Sequence, residues 1–228
     1  MREQLTFDLP AKTALGRDDF FVVPSNTLAV KALEGWRNWP GARMMLWGPK
    51  GSGKTHLAHV WAADTGAAIV SAADIDEAAA GRLGLNRFLV VEDADAIAGD
   101  KARETALFHL YNLIQSKGGR LLMTAELPPS RWPVLLADLQ SRMQAMPLAK
   151  LDAPDDALLA ALMIKLFADR QIAIGPELIP YLLDRIERSP DAVTQVVEAL
   201  DRAALTQKRA VNRRLAAEVL DKGGRGKA

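Results

Sequence analysis

The chain has 228 residues, 49% of them hydrophobic, with 29 Lys and Arg against 28 Asp and Glu and a formal charge of +1. That composition is ample for one or two packed domains, and it excludes a disordered chain and a whole-protein basic field for nonspecific nucleic-acid binding. Cysteine is absent, which excludes disulfides and thiolate metal sites and fits a reducing compartment.

In chain order, the first patterned stretch is QLTFDL, Gln4 to Leu9, closed by Pro10. Leu5, Phe7 and Leu9 alternate with polar residues, the period of a half-buried strand. The same alternation suits an extended peptide that lays every second side chain into a partner's pockets. Arg2, Glu3 and Asp8 interrupt any signal-peptide core, and no run approaches the roughly 18 apolar residues of a membrane span. A cytoplasmic protein without a membrane partner is therefore expected.

From Arg43, RMMLW predicts a strand ended by Gly48, and KTHLAHVWAADT predicts a helix with Gly66 as its stop. Between them lies GPKGSGKT, Gly48 to Thr55, which satisfies G-x-x-x-x-G-K-[ST] after a strand and at the opening of a helix. At average residue usage a random chain of this length shows the pattern about once in a hundred. The chemistry asks for each position. Gly48, Gly51 and Gly53, with Pro49, Lys50 and Ser52 between them, let backbone N–H groups close around phosphate oxygens at a helix N-terminus. Lys54 neutralises the outer phosphates, Thr55 offers a hydroxyl to Mg²⁺, and His56 follows in the first helical turn.

Next, AAIVSA predicts a strand followed by a short helix near Asp74, and RFLVVED is a continuous apolar strand ending in Glu92 and Asp93. Beside a P-loop these carboxylates are candidates for Mg²⁺ and for the attacking water. Their order is reversed from the more usual Asp-Asp or Asp-Glu, with the longer acid in the metal position and the shorter one in the water position. Nucleotide binding is expected to survive that exchange and hydrolysis to be slow. ARETALFHLYNLIQSKGG then predicts an amphipathic helix closed by glycine, and RLLMTAE another strand. Alternating strands and helices with unbroken apolar strands argue for a parallel sheet covered on both faces. His56, His59 and His109 do not form a zinc motif.

After AMPLAKLDAP only helical patterns follow. In RSPDAVTQ, Ser189 reads as an N-cap, Pro190 as the first helical position and Asp191 as a first-turn acid facing the helix dipole. The organisation expected is a segment 1–17, an α/β nucleotide-binding domain 18–150, a small all-helical domain 151–222 and a disordered tail 223–228.

DDFFVVPSNTLAVKAL, LWGPKGSGKTHLAHV, IAGDKARETALFHLYNLIQSKGGRLLMTAELPP and LLADLQSRM resemble the AAA+ module of the bacterial replication initiator DnaA, and more closely the shortened regulators of the DnaA/Hda family. The resemblance runs from Asp18 to about Leu205 and implies a P-loop AAA+ sheet followed by a helical lid. It also implies bound ADP or ATP with Mg²⁺, Thr124 as a polar sensor at a strand tip, and Arg142 as an arginine finger acting in trans. Few residues separate the second strand from FLVVED, too few for the extra DNA-gripping helices of initiators, and no helix-turn-helix is read after Leu220. The expected role is therefore that of a regulator: docked on the DNA-loaded sliding clamp, it stimulates ATP hydrolysis by DnaA and restrains re-initiation. The family's clamp peptide has Gln first and apolar residues after it, which Gln4, Leu5, Phe7 and Leu9 match. DNA is expected mainly through the clamp, at the nucleoid, and a homodimer or higher oligomer is compatible with the sequence. The lid departs from the pattern, offering Asp191 near the place of a second sensing arginine. Alternatives are a helicase-loader-type ATPase, a stand-alone P-loop ATPase and a DNA-binding initiator fragment.

Overall fold

The structure, a computed structural model, describes residues 26–224. Gln4, Leu5, Phe7 and Leu9, like all of 1–25 and 225–228, lie outside the described residues. Five short runs form one parallel sheet in the order β2-β3-β4-β1-β5: β1 Arg43–Trp47, β2 Ala68–Ser71, β3 Phe88–Glu92, β4 Arg120–Ala125 and β5 Leu148–Lys150. The inner strands are apolar throughout because both of their faces are covered. On one face Met45, Leu89, Val91, Leu121 and Met123 pack with Ala80, Leu107, Leu110, Ile114, Leu139 and Met143. Those partners come from helices α3 Glu77–Leu83, α4 Lys101–Ser116 and α5 Ala137–Gln144. On the other face Met44, Leu46, Val90 and Leu122 meet Leu33, Leu57, Ala58 and Trp61 from α1 Thr27–Glu34 and α2 Lys54–Thr65.

Helix ends follow the local chemistry. Gly66, at φ +72°, closes α2 in the left-handed conformation that glycine adopts without a Cβ penalty. The carboxylate of Asp100 accepts the N–H groups of Ala102 and Arg103 at the start of α4. Past β5 the chain is helical: α6 Asp156–Asp169, α7 Leu178–Leu183, α8 Pro190–Gln207 and α9 Arg213–Gly224. These helices bury Leu159, Met163, Phe167, Leu182, Val193, Val197, Leu200 and Leu215 in a hydrophobic cluster of their own. Ser189 caps α8 through its Oγ, which accepts from Ala192 N–H at 3.1 Å, with Pro190 as the first helical residue.

PELIPYLLDRIERS, one pattern in the sequence, yields a helix of only six residues, because the N–H groups of Arg185 and Ile186 both turn back to the carbonyl of Leu182. Among the described residues no helix is long and apolar enough to cross a membrane.

Candidate functional site

The parallel sheet gathers the ends of β1, β3 and β4 at one edge, the usual ligand crevice of such sheets. The loop from Gly48 to Gly53 leaves β1 there. Gly51 and Gly53 have φ +75° and +93°, which other residues adopt only with strain. At Gly48 a Cβ would collide with the carbonyl oxygen of Leu151, where the chain leaving β5 crosses the loop. That crossing is held by the Leu151 N–H donating to the Trp47 carbonyl at 2.8 Å.

Lys54, the first residue of α2, is 7% exposed. Its Nζ donates to the carbonyls of Gly48 at 2.9 Å and Pro49 at 3.0 Å, so two of its three protons tie the ammonium to its own loop and the third is left for a ligand. Burial lowers the pKa of this ammonium, while the nearby carboxylates of Glu126, Asp93 and Asp95 act in the opposite sense. Ser52 Oγ is buried in the same loop with no hydrogen-bond partner. Pro49, Lys50 and the Thr55 side chain are exposed, and His56 is partly buried behind them.

Glu92 ends β3 with Oε1 buried and unpartnered and Oε2 3.9 Å from His59 Nε2. Asp93 follows in the left-handed region, φ +53°, which Asp tolerates better than most residues. Its N–H donates to Oγ1 of Thr124 at 3.0 Å, and Thr124 is fully buried in β4 beside Leu46 of β1. The sheet thus brings Lys54, Asp93 and Thr124 to one edge. Asp95, two residues after Asp93, accepts the N–H groups of Glu126 at 2.9 Å and Leu127 at 3.1 Å, pinning the loop after β4.

The site fits a phosphate ligand with a divalent cation. Positive-φ glycines, an ammonium with a proton to spare and an orphaned buried hydroxyl make the cradle, while an orphaned Glu92 oxygen and the Thr55 hydroxyl lie on the flanking elements. Among the described residues no group of three or more His, Asp or Glu could hold a metal unaided. A cation here would share its coordination with the ligand.

The helical segment touches the loop directly: a Cβ at Gly51 would stand 2.7 Å from Cβ of Ser189. Pro190 and the exposed Asp191 follow Ser189, and the preceding basic residue, Arg188, is turned to Asp156, with its Nη2 3.2 Å from Oδ2. The first turn of α8 therefore carries an acid, Asp191, and no basic residue.

Arg142 is not brought to this edge. It projects from α5, donates through Nη1 to Oε1 of Gln115 at 3.3 Å and lies 5.6 Å from the ring centre of Tyr111, which Arg43 also covers at 4.3 Å. Burial, and then the neighbouring Arg142, lower the pKa of Arg43. Arg43 opens β1 and the P-loop follows its last residue, about 13 Å away at roughly 3.3 Å per residue.

Glu104 did not stand out in the sequence. It is fully buried in α4, and its carboxylate accepts from Gly99 N–H at 2.8 Å, Leu135 N–H at 3.1 and 2.9 Å and Leu136 N–H at 2.8 Å. Leu136 is the N-cap of α5, so Glu104 fixes the start of the helix that carries Arg142. Locally, an acid in the first turn of a helix reads as a partner of the helix dipole.

No protein-family model matches the chain. Among solved structures it is similar to domain III of the replication initiation protein DnaA from Thermotoga maritima, with a TM-score of 0.78 and 20% identity over 94% of this chain and 98% of that one. It is also similar to a replication initiator DnaA bound to AMPPCP and single-stranded DNA, with a TM-score of 0.68 and 18% identity over 84% of this chain and 67% of that one. A Thermotoga maritima RuvB gives a TM-score of 0.68 and 17% identity over 86% of this chain and 68% of that one. The fold is that of DnaA domain III, a parallel sheet covered by helices and followed by a helical segment, as the sequence led us to expect.

Proposed function

We propose that this chain is a replication regulator of the Hda type. In this reading it holds ADP or ATP with Mg²⁺ at its own P-loop, docks on the DNA-loaded sliding clamp through Gln4, Leu5, Phe7 and Leu9, and presents Arg142 to ATP held by the initiator DnaA. The observation that carries the reading is the position of Arg142. It stands at the opposite edge of the sheet from its own P-loop, held by Gln115 and beside the Tyr111 ring, which removes it from its own nucleotide site and supports a role toward a neighbour's phosphates. A fixed fork of this kind stabilises charge on a transferring phosphoryl group.

The adenine ligand is supported by a DnaA of the same fold that binds AMPPCP. Lys54 would hold the outer phosphates, Thr55 and Glu92 the Mg²⁺, and Asp93 and Thr124 the space where water attacks. A bound Mg²⁺ supplies charge neutralisation across the phosphate oxygens. Slow turnover is supported by the Glu92-Asp93 order and by Asp191 at the start of α8, a position without the positive charge that would help stabilise a leaving γ-phosphate. Residues 18–150 would then form the nucleotide-binding domain, with 151–222 as its lid.

The reading is tested by measuring phosphate release from ATP-loaded DnaA in the presence of this chain and clamp on DNA. Release should rise sharply with all components and fall to the basal rate when clamp is left out. Equal release with and without clamp would reject the clamp-dependent role.

A further inference from the structure

The amino-terminal edge of the sheet carries a feature that this reading does not use. Arg37 follows α1, Arg87 precedes β3 and Arg120 opens β4. Hydrogen bonds to backbone carbonyls hold them together: the main-chain N–H of Arg120 donates to the Arg87 carbonyl at 2.8 Å, and its side-chain Nη2 donates to the carbonyl of Arg37 at 3.0 Å. Each guanidinium rests on a ring, Arg37 and Arg120 at 4.2 and 5.2 Å from Trp36 and Arg87 at 5.4 Å from Phe88. The rings are themselves fixed. Trp36 meets Phe88 and Trp61 edge-on at 5.5 and 6.4 Å, and buried Trp61 stacks on Trp39 at 5.4 Å. Among the described residues none of the three arginines forms an ion pair. Segments 31–43, 85–88 and 115–121 together hold six Lys or Arg and one acid, Glu34, in a chain whose total charge is +1.

A guanidinium stacked on a ring has its plane fixed, so it loses little freedom on meeting a phosphate, and Arg120, which gives one N–H to the Arg37 carbonyl, keeps its remaining donors. Three such groups on one edge, none of them in an ion pair and with one acid among their segments, repel one another, and a polyanion relieves that repulsion. Single-strand sites that tolerate any sequence stack bases on open aromatic faces, whereas Trp36 already carries two guanidiniums. We infer that Arg37, Arg87 and Arg120 form a docking surface for the phosphate backbone of double-stranded DNA, engaged directly and without sequence preference. The surface is separate from Arg142. Arg43, beside Arg142, shares a sheet face with its register partner Leu121, and Arg120 shares the opposite face with Leu122.

The test is fluorescence anisotropy of the full chain with a labelled duplex of about 20 base pairs over a salt series, with no clamp present. The variant Arg37→Gln, Arg87→Gln, Arg120→Gln should bind more weakly at low salt, and its log–log salt slope should be shallower by about 3, at roughly 0.9 for each phosphate that the chain no longer neutralises. Between about 50 and 200 mM salt the wild type should lose about 40-fold more affinity than the variant. Arg202→Gln, an exposed change on α8, should match the wild type. The triple Lys replacement keeps the charge and should retain most of the slope, which separates the effect of charge from a failure to fold. An unchanged slope in the Gln variant, no duplex binding by the wild type, or tighter binding of a single strand of the same length would each overturn the inference.

Discussion

Replacing Glu104 by Gln keeps the size of the side chain and removes one acceptor oxygen. In the structure Oε1 takes the Gly99 N–H, Oε2 takes the Leu136 N–H, and the Leu135 N–H is shared between the two. Whichever way the amide turns, its NH₂ faces a part-buried donor that loses its acceptor. A donor left without a partner costs about 1–3 kcal/mol, and the remaining bonds weaken as the charge is lost. Against this, a neutral amide escapes the desolvation that a buried carboxylate suffers. The net expectation is a loss of about 2 kcal/mol, or about 4–8 °C in Tm for a chain of this size. Urea titration should show a lower midpoint with an unchanged slope. Because Leu136 starts α5, stimulation of DnaA should fall further than the folded fraction alone explains. A midpoint within about 0.5 kcal/mol of wild type would refute the reasoning that this carboxylate holds the loop.

Other expectations follow from the same geometry. Gly51→Ala adds a Cβ at φ +75° and 2.7 Å from Ser189, so it should cost about 1–2 kcal/mol and weaken nucleotide binding by calorimetry, whereas tolerance with full affinity would show that the α8 start does not press on the loop. Lys54→Ala should lose about 2–5 kcal/mol of nucleotide affinity. Since burial lowers the Lys54 pKa, the unfolded chain holds that proton more tightly, so stability gains from this group as pH rises from the folded value to the unfolded one. Nucleotide binding needs the charged form and should weaken over the same rise; affinity that stays flat until the ordinary lysine range would contradict this. Changing Gln4, Leu5 and Phe7 together to Ala should abolish clamp binding and leave the melting temperature unchanged, while early melting with clamp still bound would mark the segment as a core strand.

Much of the fold was legible because its signals are local. The apolar runs at 43–47 and 88–92 became inner strands, and Gly66 and Ser189 ended and began helices through the conformation and capping bond that their chemistry favours. What stayed illegible is non-local. β5 has one buried residue of three, Ala149, and exists because Met45, Leu46 and Trp47 offer it an edge. Glu104 looks like one more helix acid until residues some thirty positions away bring their amides to it. The P-loop, Glu92 and Asp93 were readable as a cluster of types at fixed spacing. That Thr124 binds the Asp93 amide, and that α8 rests on Gly51, needed the packed chain.

The central claim, that Arg142 acts on a neighbour's nucleotide, is tested most directly by single-turnover hydrolysis of ATP preloaded on DnaA, with clamp on DNA and either wild-type chain or Arg142→Ala. The variant gives up one exposed hydrogen bond to Gln115 and a 5.6 Å approach to the ring of buried Tyr111, so it should fold, bind its own nucleotide and bind clamp as the wild type does. It should lose the stimulation, which arginine fingers supply at about 10³ to 10⁵ in rate. Stimulation by Arg142→Ala equal to that of the wild type would contradict the account.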